Sequence, residues 1–173
     1  MTGDHDILLD ADAIAARVAE LGTALRGRFA PGDVLHVVGV LKGSVVFVAD
    51  LLRAIPGPVT CDFLRARSYQ GTASTGEVEL THDLGDDIAG RHVLLVEDIV
   101  DTGLTLARLR GHLRAMQPRS LTTVSLLDKP SRRQVAVAVD MVGFTIEDHF
   151  VVGYGLDVDG LYRNLPYVAV LRG

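Results

Sequence analysis

The chain has 173 residues, of which 48% are hydrophobic, and a formal net charge of −5 at neutral pH. This length fits a single domain with one sizeable core. The acidic balance argues against nucleic-acid binding, which requires a basic face, although a few local cations could still hold a small anion. The one cysteine, Cys61, excludes an internal disulfide and fits a reducing compartment.

The beginning of the chain, MTGDHDILLD, lacks the charged-then-apolar pattern of a signal peptide. The longest apolar stretch, residues 37–52, is interrupted by Lys42 and Asp50, so it does not reach the roughly 18 residues of a membrane span. We therefore expect a soluble, cytoplasmic protein without a membrane partner.

Apolar periodicity and turn residues predict the following elements in chain order. A helix at about 11–28, capped by Asp10, precedes a strand at 34–40, a helix at 45–55 and a strand at 59–64. A long polar loop at 65–87 leads to a strand at 93–96, a helix that carries Leu106, Leu109, Leu113 and Met116, and a strand at 121–127. Short strands are predicted at 142–146, 150–152 and 167–171.

Alternating strands and helices predict an α/β fold with a mostly parallel open sheet flanked by helices. The last short strands do not alternate with helices. They either extend the sheet or, together with the N-terminal segment, form a small hood. We expect one domain over 1–173, with its core at about 30–171 and a lid loop at about 65–87.

The most informative stretch is 93–105, VLLVEDIVDTGLT. A buried strand is followed by three acids, Glu97, Asp98 and Asp101, at the strand end where α/β sheets bind ligands. Thr102 and Gly103 then open a helix, whose free N–H groups suit a phosphate. Acids there would repel a bare phosphate, so they must serve hydroxyls, a metal or a proton, as a phosphorylated sugar would require. The plainer alternatives are a solvated acidic turn and a helix cap supplied by Thr102.

This stretch resembles the phosphoribosyl-pyrophosphate signature of type I phosphoribosyltransferases, and the remaining chain resembles the hypoxanthine-guanine branch. The resemblance implies that Glu97 and Asp98 hold the ribose hydroxyls and magnesium. It implies that Asp101 faces the purine N7 as general base. Thr102, Gly103, Leu104 and Thr105 would hold the 5′-phosphate.

Residues 39–44, GVLKGS, follow the first core strand and lack the spacing of a Walker P-loop. They resemble the family's pyrophosphate loop, so the resemblance implies that Leu41, Lys42 and Gly43 contact pyrophosphate and that the Leu41–Lys42 peptide bond is cis. Without the resemblance, the segment could equally be an ordinary tight turn. Arg163 resembles a second pyrophosphate contact, with a surface arginine as the alternative.

At the base end, the resemblance assigns Lys129 to the purine O6, Phe150 to stacking on the base, and Val151 to reading the base edge through its backbone. Asp157, also placed near the purine, resembles a ligand, direct or through water, of a second magnesium that is bound to pyrophosphate. The plain alternatives are a solvent lysine, a core aromatic, a core aliphatic and a loop acid.

The segment 65–78 is rich in hydroxyls and glycines and has little to bury. Its composition favours a flexible surface loop, whereas the resemblance makes it a lid with Ser68 and Tyr69 at its centre. A lid would exclude water from an oxocarbenium-like transition state.

The resemblance implies an enzyme of purine salvage that transfers phosphoribosyl from phosphoribosyl pyrophosphate to hypoxanthine, and to guanine, with Mg²⁺. The products would be IMP or GMP and pyrophosphate, and the enzyme would be a homodimer or homotetramer. One rival is a phosphoribosyltransferase for xanthine, adenine or a pyrimidine. Another is a non-catalytic regulator that binds RNA. A phosphoacceptor receiver domain ranks last, because the acids of such a domain lie at two strand ends, whereas the three acids of this chain follow one strand.

Overall fold

The computed structural model describes residues 5–68 and 78–172. Its elements are β1 (His5–Leu9), α1 (Ala11–Arg26), β2 (Leu35–Leu41), α2 (Val45–Ala54), β3 (Val59–Ser68), β4 (Val78–His82), β5 (His92–Val100), α3 (Leu104–Ala115), β6 (Ser120–Asp128), β7 (Met141–Thr145), β8 (Val151–Val152) and β9 (Val168–Leu171). None of the described helices is long and apolar enough to cross a membrane.

The main sheet has six strands in the order β4-β3-β2-β5-β6-β7. Strands β2, β3, β5, β6 and β7 run parallel, and β4 is antiparallel to β3. The predicted mostly parallel α/β sheet is confirmed. Because the parallel strands end at one edge, Leu41, Val100, Asp128 and Thr145 bring their following segments to the same side of the molecule.

Helices cover both faces of this sheet, and alternate strand residues supply the two cores. Val37 and Leu94 belong to the core under α1 and α2, whereas Val38 and Leu95 belong to the core under α3. The predicted apolar positions Ile14, Val18, Leu21 and Leu25 in α1, and Leu106, Leu109 and Leu113 in α3, are buried as expected. Met116 is only half-buried and is the C-cap residue after α3.

A second, three-stranded sheet joins the two ends of the chain in the order β1-β9-β8, with both pairings antiparallel. The sequence analysis left open whether the last strands extend the main sheet. The structure settles this for β8 and β9, which pair with the N-terminal strand, while β7 joins the main sheet.

The predicted loop at 65–87 is wrong at its beginning and at 78–82, whereas residues 83–87 lie outside strands and helices as predicted. Strand β3 continues to Ser68, and β4 returns antiparallel beside it at the edge of the sheet. The signal of β4 is weak because its inward positions, Val78 and Leu80, are only half-buried. Tyr69, the other predicted lid residue, lies outside the described residues.

Candidate active site

The three acids of the 93–105 stretch are positioned by the carboxyl end of β5. This strand runs beyond the predicted Val96 and pairs with β6 at Glu97, Ile99 and Val100. Glu97 and Asp98 therefore lie inside the strand, where neighbouring side chains point to opposite faces. Glu97 faces the α3 side and is 5% exposed, whereas Asp98 faces the loop before α2.

Burial makes both strand carboxylates hard to ionise. It raises the pKa of Glu97 well above its usual value, and the nearby charge of Asp98 adds to the effect. Burial likewise raises the pKa of Asp98 to about 6, with Asp157 adding to the rise, while backbone N–H groups and Arg163 oppose it. Paired shielded acids in a cleft are typical of sites that take a cation or hydroxyl groups.

The N-terminus of α3 lies beside Glu97. Gly103 is its N-cap residue with a φ of +84°, and it has no side chain to cap the first N–H groups. The Thr102 hydroxyl accepts from the Leu104 N–H at 3.4 Å, which is a long and weak cap. A cavity of about 90 Å³ opens here, lined by Glu97, Ile99, Val100, Asp101, Thr102, Gly103, Thr105 and Leu106. The arrangement suits a small anion.

The segment between β2 and α2 lies against Asp98. The Leu41–Lys42 peptide bond is cis, as expected from the resemblance. A Cβ atom on Gly43 would lie 1.5 Å from Oδ2 of Asp98, so only glycine allows this approach. On its other side, the Gly43 carbonyl lies 2.1 Å from the position of a Cβ atom on Gly155. The loop is thus held between β5 and the segment after β8.

Arg163 and Asp157 lie over the same end of the sheet. The Arg163 guanidinium donates to the Asp157 carboxylate and to the Gly155 carbonyl. Asp157 also accepts from the Gly160 N–H at 2.7 Å. Because both side chains act electrostatically on Asp98, the structure brings together Gly43, Asp98, Asp157 and Arg163, which the sequence places far apart.

At the other end of the cleft, Lys129 is 7% exposed, so the alternative of a solvent lysine is wrong. Its Nζ donates to the His149 carbonyl at 2.5 Å and lies 3.6 Å from Asp148. Phe150 is 59% exposed, so it is not a core aromatic. The Val151 side chain is buried in the core, which agrees with the alternative interpretation of Val151 as a core aliphatic residue.

Asp101 is held by two arginines that the sequence analysis did not single out. Arg132 Nε lies 3.2 Å from its carboxylate, and Arg133 donates to its main-chain carbonyl at 2.9 Å. Gln134 N–H donates to the Thr102 carbonyl at 2.9 Å. The sequence signal was the Ser-Arg-Arg run directly after Lys129 and Pro130, on the next strand end.

The carboxylates of this cleft suit Mg²⁺, which prefers oxygen ligands. The three predicted ligands, Glu97, Asp98 and Asp157, do not form a cluster with all ligand atoms within 4.8 Å of one another. Mg²⁺ typically uses one or two carboxylates together with substrate oxygens and water, so the donor set still fits it.

Comparison with known proteins gives a family match for most of the chain. The model of the "Phosphoribosyl transferase domain" family matches residues 4–159. A hypoxanthine phosphoribosyltransferase of Salmonella typhimurium is 47% identical over 165 residues, covering 94% of this chain and 93% of the relative. A hypoxanthine-guanine phosphoribosyltransferase of Mycobacterium avium is 47% identical over 171 residues, covering 95% and 84%.

Solved structures agree with the sequence matches. The crystal structure of a hypoxanthine-guanine phosphoribosyltransferase from Bacillus anthracis superposes with a TM-score of 0.92 at 44% identity. The superposition covers 96% of this chain and 98% of the other.

We expect Gly43→Ala to destabilise the protein by about 1–3 kcal/mol, because the added methyl group overlaps Asp98 and one of them must move. Urea unfolding measures the change. Gly111→Ala is the matched control, since nothing lies within 4 Å of a Cβ atom at that position of α3. The control should stabilise the helix by about 0.5–1 kcal/mol. Equal stabilities of the two variants would contradict the packing described for Gly43.

Proposed function

Because the chain belongs to the phosphoribosyltransferase family, we propose that it transfers the phosphoribosyl group of phosphoribosyl pyrophosphate to hypoxanthine, and to guanine. The C1′–oxygen bond to pyrophosphate breaks, and a bond from C1′ to the purine N9 forms. The products are IMP or GMP and pyrophosphate. The observation that carries the proposal is the convergence of buried Glu97, half-buried Asp101 and the α3 N-terminus on one cavity at the end of β5.

The sugar phosphate is assigned to the α3 side of this convergence. Thr102, Gly103 and Thr105 line the 90 Å³ cavity assigned to the 5′-phosphate, to which the free N–H groups at the start of α3 would donate. Glu97 and Asp98 take the ribose hydroxyls, which can donate to carboxylates whose burial leaves them poorly solvated.

The pyrophosphate is assigned to the Asp98 side. The cis-linked Leu41–Lys42–Gly43 segment offers its backbone there, and Arg163 offers a cation. Asp98 and Asp157, with Glu97 as a further acid, would hold Mg²⁺. When bound, the ion neutralises charge on the leaving pyrophosphate.

The purine is assigned to the space between Lys129, Phe150 and Val151. A buried ammonium donates to an oxo group at purine position 6 and finds no acceptor in an amino group there, which favours hypoxanthine and guanine over adenine. Phe150 is exposed and free to cover a planar ring. Asp101 takes or shares the N7 proton as the bond at N9 forms.

The direct test is incubation of the purified protein with phosphoribosyl pyrophosphate, Mg²⁺ and one of four bases: hypoxanthine, guanine, xanthine or adenine. Chromatography should show IMP from hypoxanthine and GMP from guanine, with little product from adenine. Activity with adenine or xanthine alone would assign the enzyme to another base. The absence of any nucleotide product would refute the proposal.

Replacing Asp101 with asparagine keeps its size but removes the base. We expect kcat with hypoxanthine to fall by about 10²–10⁴-fold and both KM values to change little. Steady-state kinetics measure both, and Asp12→Asn, in the exposed first turn of α1, is the isosteric control. A wild-type kcat for Asp101→Asn would remove its assignment as general base.

Lys129→Ala removes the ammonium assigned to O6. A hydrogen bond from a charged group contributes about 1.5–3 kcal/mol, so kcat/KM for hypoxanthine should fall about 10–150-fold. KM for phosphoribosyl pyrophosphate should stay nearly unchanged. The control removes another cation, the exposed Arg108 of α3, and should have no effect. Equal losses for both substrates would contradict a role of Lys129 in base recognition.

A further inference from the structure

A second group of potential metal ligands lies near the amino-terminal ends of the strands, at the edge opposite the cleft. His36 is the second residue of β2, Asp62 lies early in β3, and Asp86 lies in the segment before β5. Their ligand atoms all lie within 4.8 Å of one another. Within residues 5–68 and 78–172, no other group of three histidine, cysteine or acidic side chains has its ligand atoms this close together.

His36 is the unusual member, because its side chain is fully buried in the sheet. Its Nδ1 lies 2.8 Å from the Thr60 hydroxyl, whereas its buried Nε2 has no hydrogen-bond partner among the described residues. Leaving a buried polar atom unpaired costs free energy. His36 offers one ring nitrogen to the group, and the Thr60 hydroxyl fixes the orientation of the ring through Nδ1, as a hydrogen bond beside a metal-binding histidine usually does.

Protonation does not block this imidazole. Burial lowers the pKa of His36, and the neighbouring charge of Arg91 lowers it further, although Asp86 and Asp62 act in the opposite direction. The ring is therefore neutral near pH 7 and keeps a lone pair for a cation.

The two carboxylates differ in mobility. Asp62 accepts backbone N–H bonds from Phe63, Gly85 and Asp86 at 2.7, 2.8 and 3.0 Å, which fix its position. Burial raises the pKa of Asp62, but these bonds and His36 together hold it below its usual value. The Asp86 side chain is 51% exposed and can adjust.

We propose that His36, Asp62 and Asp86 bind a divalent transition-metal ion of the Zn²⁺ class. Imidazole favours such ions over Mg²⁺ and Ca²⁺, and carboxylates complete a mixed nitrogen and oxygen set. Tetrahedral Zn²⁺ ligands lie about 3.3 Å apart, so the group closes on the ion mainly by movement of Asp86. The bound ion links the segment before β5 to β2 and β3.

Arg91 is the competing cation. Its Nη1 lies 3.4 Å from Nδ1 of His36 and 3.6 Å from Asp86. The Arg91 side chain is 43% exposed, so it can turn into solvent when a metal ion enters. A cleft of about 510 Å³ is lined in part by His36, Thr60 and Arg91, so the histidine side of the group borders solvent-accessible space.

Isothermal titration calorimetry of the whole protein with Zn²⁺ tests the site. The buffer contains excess Mg²⁺, which occupies the cleft acids Glu97, Asp98 and Asp157 at the opposite edge of the sheet. The wild type should bind one Zn²⁺. His36→Gln and Asp86→Asn should each weaken binding about tenfold or more. Arg91→Gln removes a repelling charge and should tighten binding about fivefold.

His112→Gln is the matched control. His112 lies 2.9 Å from Asp83, but the two form no group of three potential ligands within the described residues. The variant should bind Zn²⁺ with wild-type affinity. Melting temperatures without zinc verify that each variant is folded, and Asp86→Asn serves if His36→Gln does not fold. No saturable binding by the wild type below about 100 µM Zn²⁺ would overturn the proposal. So would wild-type affinity in both ligand variants.

Discussion

The burial of two carboxylates inside a central strand is the constraint on which the cleft depends. Glu97 and Asp98 lie within β5, just beyond its last pair with β2, and β6 still pairs with the strand at Glu97 and Ile99, so the strand fixes where both side chains begin. Shielded acids of this kind are unfavourable unless a ligand compensates them. Because adjacent strand residues point to opposite faces, the pair borders two sides of the cleft: Glu97 faces α3, and Asp98 faces the segments beside Gly43 and Arg163.

The same constraint explains where glycine occurs. Gly43 admits the carboxylate of Asp98, and Gly155 admits the carbonyl of Gly43. The Gly43 backbone therefore lies between the Asp98 side chain and the Gly155 backbone, which come from distant parts of the chain. Since Gly155 follows β8, this contact connects the small sheet with the loop assigned to pyrophosphate.

Much of this could be predicted from the sequence, because the helices carry clear apolar stripes and the acids follow a continuous apolar run. Residues 97–105 required no long-range information, since one strand and one helix position them. β4 could not be predicted, because it is an edge strand with two half-buried positions. The contacts of Arg132 and Arg133 with Asp101, and the grouping of His36 with Asp62 and Asp86, depend on the order of strands in the sheet, which periodicity does not encode.

Lys129 has a further consequence for selectivity under the proposed assignment. Its ammonium already donates to the His149 carbonyl and has two further N–H donors, so an arriving oxopurine adds an acceptor to a cation that is already partly satisfied. A base without this oxygen leaves the Lys129–His149 hydrogen bond intact. Binding of such a base therefore lacks one favourable hydrogen bond, but it does not incur the larger free-energy cost of an unpaired buried cation. Discrimination by this contact is therefore limited to the gain from one added hydrogen bond of a charged donor, and the lysine keeps its His149 partner after the product leaves.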